Sequence, residues 1–271
     1  MATLELSPGN ALYYEHNPGD GTKPCFVFVN ALTGNTQAWE SVVGPRLRAE
    51  GFGTLSYNFR GQDDSPFTED TELTPASIVD DLTALLDHVQ PERPVLVGLS
   101  IGGLFAAQAI LRGAKAEALV LLNTLREIGP RIAWVNDALP HLVARGGVRL
   151  FLDGFFPLLV NGEMAAEKRD DFLSDEPYEP LDPSHGHANL MRNSVKADWA
   201  IPYEELKLPV LVVTGLQDRV FLDREVVDRL APRLPDHRRE DWDDTGHLVP
   251  QERPEKLADA LARFAAELVA L

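Results

Sequence analysis

The stretch Pro94-Val95-Leu96-Val97-Gly98-Leu99-Ser100-Ile101-Gly102 decides the fold of this chain. Its first six residues form a continuous apolar run, which is typical of a strand buried on both faces of a sheet. A helix is predicted to follow directly, over 101–112, with only Ser100 between the two elements. A Gly-x-Ser-x-Gly pattern between strand and helix exposes the serine hydroxyl at the end of the strand. The stretch therefore predicts a nucleophilic serine on an α/β sheet.

Predicted strands and helices alternate along the rest of the chain. After two short strands within 3–16, apolar strands are predicted at 25–30, 53–58, 118–122 and 209–214, and a last strand at 238–242. Helices are predicted at 36–50, 75–88, 223–233 and 254–271. Strands that alternate with helices form a mostly parallel sheet covered on both faces. The predicted fold class is α/β.

One segment interrupts this alternation. Between 122 and 209 the sequence carries helical patterns, prolines and many aromatic residues, but no convincing strand. An insertion at this point lies above the carboxyl ends of the strands, where open α/β sheets bind ligands. We therefore predict a helical cap over 126–206, with the core divided into 1–125 and 207–271.

A serine hydroxyl becomes a nucleophile when a base takes its proton and a third group orients that base. Asp218 follows the predicted strand 209–214 and a glycine turn, although a helix N-cap or a surface acid has the same local pattern. His247 lies beside a glycine, in the loop between the last strand and the terminal helix. Ser100, Asp218 and His247 are therefore the candidate catalytic residues.

The chain order Ser100, Asp218, His247 resembles that of the α/β-hydrolase superfamily. Residues 24–124 and 207–268 are similar to its cap-bearing branch. The resemblance implies an α/β-hydrolase fold with the cap inserted after the strand at 118–122. That branch includes esterases, lactonases, C–C bond hydrolases, perhydrolases, epoxide hydrolases and haloalkane dehalogenases. The last two use an aspartate nucleophile, so Ser100 argues against them.

The loop after the strand 25–30 departs from the superfamily pattern, in which this strand ends in His-Gly. Here the loop reads Asn30-Ala31-Leu32-Thr33-Gly34, and together with Trp39 it is locally similar to the Asn-Ser-Leu-Gly loop of 3-oxoadipate enol-lactonases. The resemblance assigns the Leu32 N–H to an oxyanion hole, and the Ile101 N–H at the start of a helix is the expected second donor.

A second loop, Arg60-Gly61-Gln62-Asp63-Asp64-Ser65, resembles the R-G-x-G-x-S loop of the superfamily. Gln62 stands where histidine is common, and Asp63 stands where glycine is common. We expect these residues to hold the loop beside the active site and to take no part in the chemistry.

The predicted function is cleavage of a small, largely apolar carboxylic ester or lactone through an acyl-enzyme. The residues expected to contact the substrate are Asn30, Ala31, Trp134, His141, Phe155 and Leu248. C–C bond hydrolysis and thioester hydrolysis use the same triad and are the alternative reactions. A triad-bearing ligand receptor is a third alternative, which turnover of p-nitrophenyl esters would exclude.

Composition and charge disfavour several other classes of protein. The net charge of −17 opposes binding to nucleic acid or anionic membrane, and no apolar run is long enough to span a bilayer. Cys25 is the only cysteine and the His185/His187 pair lacks a carboxylate cluster, so neither a disulfide nor a metal site is predicted. Without a signal-peptide pattern, we expect a cytoplasmic monomer or homodimer that needs no cofactor and acts on a small molecule.

Overall fold

The centre of the fold is a mixed sheet. The computed structural model describes residues 2–269, and its strands are β1 (Ala2–Ser7), β2 (Asn10–Asn17), β3 (Cys25–Val29), β4 (Gly53–Tyr57), β5 (Pro94–Leu99), β6 (Ala118–Leu122), β7 (Val210–Gly215) and β8 (His237–Trp242). Within the described residues these strands follow the order β1-β2-β4-β3-β5-β6-β7-β8. β2 pairs antiparallel with β1 and β4, whereas every other neighbouring pair is parallel. The predicted mostly parallel sheet is confirmed.

Helices cover both faces of this sheet. They are α1 (Gln37–Glu40), α2 (Val43–Ala49), α3 (Pro75–Val89), α4 (Ile101–Leu111), α5 (Pro130–Leu159), α6 (Gly162–Glu167), α7 (Gly186–Ser194), α8 (Arg224–Leu230), α9 (Val249–Glu252) and α10 (Pro254–Val269). The prediction of one helix over 36–50 is wrong, because Pro45 has no N–H and fits only the first turn of a new helix. The helix predicted over 254–271 includes residues 270 and 271, which lie outside the described residues.

Strand β3 shows how the sequence places the core. Successive side chains of a strand point to opposite faces, so Phe26 and Phe28 enter one apolar cluster while Val27 and Val29 enter the other. All four side chains are fully buried. Burial of each stabilises the fold by roughly 1.5–3 kcal/mol. The continuous apolar runs of the sequence are therefore the signature of strands covered on both faces.

The order of the strands creates a crevice at the carboxyl ends of β3 and β5. β3 pairs with β4 on one side and with β5 on the other. The connections that follow β3 and β5 therefore leave in opposite directions, and ligands bind at such a switch point in α/β sheets.

The segment between β6 and β7 contributes α5, α6 and α7, and the structure describes no strand there. α5 is kinked at Gly146 and Gly147, and the φ of Gly147 is 68°. A third apolar cluster includes residues of α5 and α7. The division of the chain at 125 and 206 stays a prediction, and Met1, Ala270 and Leu271 of the predicted core lie outside the described residues. None of the described helices combines the length and apolar character needed to cross a membrane.

Candidate active site

Ser100 occupies the turn between β5 and α4. Its φ of 56° and ψ of −121° form a conformation that residues with a side chain rarely adopt, at a cost of about 1–3 kcal/mol. The Ser100 N–H donates to the Leu122 carbonyl over 2.8 Å, which ties the turn to β6. The packed sheet and helix thus hold the serine at the carboxyl edge of the sheet.

Two glycines make room for this turn. A Cβ on Gly98 would overlap the backbone of Gly103, and a Cβ on Gly102 would overlap the carbonyl groups of Val29 and Asn30. Because α4 packs so closely on the sheet, both positions require glycine. The Gly-x-Ser-x-Gly spacing therefore has a steric cause.

Asp218 and His247 form a buried pair at the carboxyl ends of β7 and β8. His247 Nδ1 lies 2.7 Å from Asp218 Oδ2, and Asp218 Oδ1 accepts from the N–H groups of Val220 and Phe221 at 2.9 Å. Burial raises the pKa of the Asp218 carboxyl, but the charge of His247 and these hydrogen bonds outweigh it, so the pKa lies below its usual value. Asp218 is therefore ionised at neutral pH, where it can only accept a hydrogen bond from Nδ1.

The loop that carries His247 is fastened by a buried carboxylate. Glu252 accepts from the N–H groups of Asn161 and Gly246 at 2.7 Å and from that of Leu248 at 2.9 Å. Burial raises the pKa of Glu252, and the three donors oppose that rise. Sequence reasoning missed Glu252. An acidic residue five positions after the loop histidine was the signal that could have indicated it. Glu252 joins the histidine loop to the end of α5.

Ser100 Oγ accepts a hydrogen bond from an arginine. Arg126 Nη2 lies 2.9 Å from Ser100 Oγ and 2.9 Å from the carbonyl oxygen of Asn123. Ser100 and His247 line the same pocket, but their side chains form no direct hydrogen bond in the described structure. Such contacts are often formed only once substrate is bound. Sequence reasoning missed Arg126, and its position four residues after an apolar strand was the only signal for it.

Two residues beside Ser100 have backbone N–H groups without a hydrogen-bond partner among the described residues. Leu32 and Ile101 line the pocket beside Ser100. Ile101 is the first residue of α4, so its N–H has no partner within the helix. Neither N–H donates to any residue that the structure describes. These two groups are available for a negatively charged oxygen.

Asn30 and Gln62 hold the loop that carries Leu32. Asn30 Nδ2 donates to Gln62 Oε1 over 3.1 Å, and the Trp39 indole N–H donates to Asn30 Oδ1 over 2.7 Å. Gln62 Nε2 in turn donates to the carbonyl groups of Ala31 and Leu32. Asn30 is buried in this network and does not line the pocket, so its predicted contact with substrate is corrected to a role in fixing the loop.

The pocket beside Ser100 has mostly apolar walls and a volume of about 110 Å³. Ala31 and Leu248 line it, and their contact with substrate stays a prediction. Trp134, His141 and Phe155 instead line a separate groove on the outer surface, and Trp134 is 79% exposed. Their sequence-based assignment is corrected, because the face that α5 turns toward the pocket carries Leu139 and Phe151.

No group of three or more histidine, cysteine or acidic side chains suited to a metal ion occurs within residues 2–269. The rings of His185 and His187 stack with centroids 5.5 Å apart, and neither residue lines the pocket beside Ser100.

Comparisons with known proteins agree on one family. A model of the alpha/beta hydrolase family matches residues 26–260. The chain is 26% identical over 270 residues to "Uncharacterized hydrolase YugF" of Bacillus subtilis, covering 94% of each chain. It is also 26% identical over 213 residues to 3-oxoadipate enol-lactonase 2 of Acinetobacter baylyi, covering 74% of each chain.

Solved structures share the fold. The esterase EaEST from Exiguobacterium antarcticum superposes with a TM-score of 0.81 at 19% sequence identity, over 97% of this chain and 98% of that one. At this identity the likeness concerns the fold alone. The predicted α/β-hydrolase fold is confirmed.

Proposed function

The chain belongs to the alpha/beta hydrolase family, and on that premise we propose that it hydrolyses a small carboxylic ester or lactone with Ser100 as nucleophile. The observation that carries the proposal is the buried Asp218–His247 pair, whose histidine lines the same pocket as a serine held in a strained turn. An imidazole oriented by a carboxylate is the base that a serine nucleophile requires.

The proposed reaction has two steps. Ser100 Oγ bonds to the carbonyl carbon while its proton passes to His247 Nε2, and the N–H groups of Leu32 and Ile101 hold the oxyanion. The bond to the leaving oxygen then breaks, and His247 returns the proton to that oxygen. In the second step His247 takes a proton from water as the water oxygen attacks the acyl carbon. The bond between that carbon and Ser100 Oγ then breaks, and His247 returns the proton to Oγ, which releases the acid.

The pocket supports a substrate with a compact apolar body. Its walls include Leu139, Phe151, Leu159 and Met191, and no carboxylate side chain lines it among the described residues. The esterase and enol-lactonase names among similar proteins belong to those proteins and favour the ester or lactone class here.

The test is hydrolysis of p-nitrophenyl esters with acyl chains of two to eight carbons. We expect turnover by the wild type and a loss of roughly 10⁶-fold in kcat for Ser100→Ala, with unchanged circular dichroism. Turnover that survives in Ser100→Ala would overturn the proposal.

A further inference from the structure

Arg126 is a buried cation whose charge the described residues do not pair. It is 5% exposed, and no carboxylate in the described chain lies within ion-pair distance of it. A buried charge without a counter-ion is costly, so such groups are normally paired. Other arginines of the described chain form ion pairs at the surface. Arg126 lines the pocket and forms none among the described residues.

The guanidinium has unused hydrogen-bond donors. Nε is fully buried without a hydrogen-bond partner, and Nη1 donates to no atom of the described residues. Nη2 uses its donors on Ser100 Oγ and the Asn123 carbonyl. An arginine has five N–H donors in a fixed fork that matches a planar carboxylate.

Aromatic side chains fix the guanidinium in place. Its central carbon lies 4.4 Å from the ring centroid of Trp199 and 4.7 Å from that of Phe221. Both rings also line the pocket. These cation–π contacts stabilise the charge and orient the guanidinium, and they leave the Nε and Nη1 donors without a hydrogen-bond partner among the described residues.

The electrostatics around Arg126 keep it positively charged. Burial lowers its pKa to about 10, against the opposing effect of the Asp218 charge. Asp218 itself is taken up by His247 and two backbone N–H groups. The cation therefore persists at neutral pH and faces a pocket lined by no acidic side chain among the described residues.

We infer that Arg126 binds a carboxylate group of the substrate, so that the enzyme selects esters or lactones that carry one. This inference rests on the proposed function and narrows its substrate class: an apolar body with one carboxylate at the end near Ser100. Because Nη2 lies 2.9 Å from Ser100 Oγ, the carboxylate stands roughly 4–6 Å from the scissile carbonyl carbon. A spacer of two to four methylene groups fits that distance.

The substrates for the test differ only in charge. On the acyl side, mono-p-nitrophenyl glutarate is compared with its neutral methyl ester. On the alcohol side, 4-acetoxybenzoate is compared with methyl 4-acetoxybenzoate. We expect the wild type to prefer the anionic member of one of these pairs by roughly 10- to 100-fold in kcat/KM, as for a charge-assisted hydrogen-bonded pair.

The variants test whether the preference belongs to Arg126. Because Arg126 touches Ser100, the readout is the ratio of the two substrates on one variant, which cancels a general loss of activity. In Arg126→Met the ratio should fall to about one or below, and Arg126→Lys should restore part of it. The control is Arg131→Met, which removes an exposed arginine bound to the Val220 and Leu222 carbonyls and should keep the wild-type ratio.

A binding measurement separates this inference from the proposed function. Glutarate cannot be hydrolysed, and calorimetry should detect its binding to the wild type with at least tenfold weaker binding to Arg126→Met. Ester turnover through Ser100 without any charge preference would overturn the inference and leave the proposed function intact. Glutarate binding lost in Arg126→Met, in a protein that hydrolyses no ester, would support the anion site and contradict the hydrolase. If Arg126→Met does not fold, a wild type that prefers neither anionic substrate overturns the inference by itself.

Discussion

His247 Nδ1 lies 2.7 Å from Asp218 Oδ2, and the two side chains are only 5% and 2% exposed. The ionised carboxylate can only accept this hydrogen bond, so the proton of the neutral imidazole is on Nδ1 and Nε2 is left with its lone pair. The pair thereby presents a base toward the pocket that Ser100 lines.

Asp218→Asn tests this orientation. The amide keeps an oxygen for the Val220 and Phe221 N–H groups, so the loop should fold, but it no longer holds the imidazole in the required tautomer. We expect kcat/KM for p-nitrophenyl butyrate to fall about 10³- to 10⁴-fold, by analogy with the serine-protease triad. Asp244→Asn, which removes a partly exposed ion-pair partner of Lys256, is the control. A loss below tenfold in Asp218→Asn would contradict the assignment.

The sequence predicts the sheet correctly, and the structure brings the candidate residues Ser100, Asp218 and His247 to one edge of it, for a physical reason. Apolar strands end abruptly in glycine turns, and parallel strands bring their carboxyl ends to one edge. Arg126 has no such pattern. It comes four residues after β6, behind Asn123-Thr124-Leu125, and only the packing of distant aromatic rings reveals that its charge faces the pocket.

The face of α5 that lines the pocket was also predicted wrongly. α5 shows helical periodicity, but Gly146 and Gly147 interrupt it, and Gly147 has a left-handed φ that side-chain-bearing residues disfavour. The kink changes which residues of the two halves share a face. Trp134 and Leu139 both precede it, and the sequence of that half does not show which side turns toward the pocket. Aromatic content therefore indicated Trp134, which is 79% exposed.

Two tryptophans of the insertion are expected to behave differently on substitution. Trp199→Phe alters the ring that packs on Arg126 and should lower kcat/KM by about two- to tenfold through a weaker cation–π contact. Trp134→Phe, at a position 79% exposed and outside the pocket, should stay within twofold of the wild type. Steady-state kinetics with one ester measure both, and the reverse order of effects would refute the location of the pocket.

Glu252 should matter for stability as well as for activity. In Glu252→Gln one side-chain oxygen still accepts a hydrogen bond, but the other is replaced by an NH₂ group. At least one backbone N–H that donates to Glu252 then faces another donor and loses its partner. We expect the free energy of unfolding in urea to fall by about 1–3 kcal/mol. Glu255→Gln, at an exposed position of α10, should change it by less than about 0.5 kcal/mol. Equal stabilities of the two variants would mean that the carboxylate does not fasten the His247 loop.

The charge preference should be independent of pH between 6 and 9. Arg126, with a pKa of about 10, stays protonated in that range, while the Asp218 carboxyl stays ionised and burial keeps Tyr203 neutral by raising its pKa to about 12. The preference should disappear only as the substrate carboxylate gains its proton, at a pH of roughly 4.3. The ratio of kcat/KM for the anionic and neutral glutarate esters measures this. A ratio that declines between pH 6 and 8 would indicate an imidazolium as the receptor.

Covalent labelling tests the nucleophile most directly. After reaction with a fluorophosphonate, intact-mass spectrometry of the wild type should show one adduct per chain, and peptide mapping should locate it on Ser100. Ser100→Ala should remain unlabelled, and His247→Gln should react far more slowly because its serine has no base. An adduct on another residue, or equal labelling of Ser100→Ala, would contradict the account.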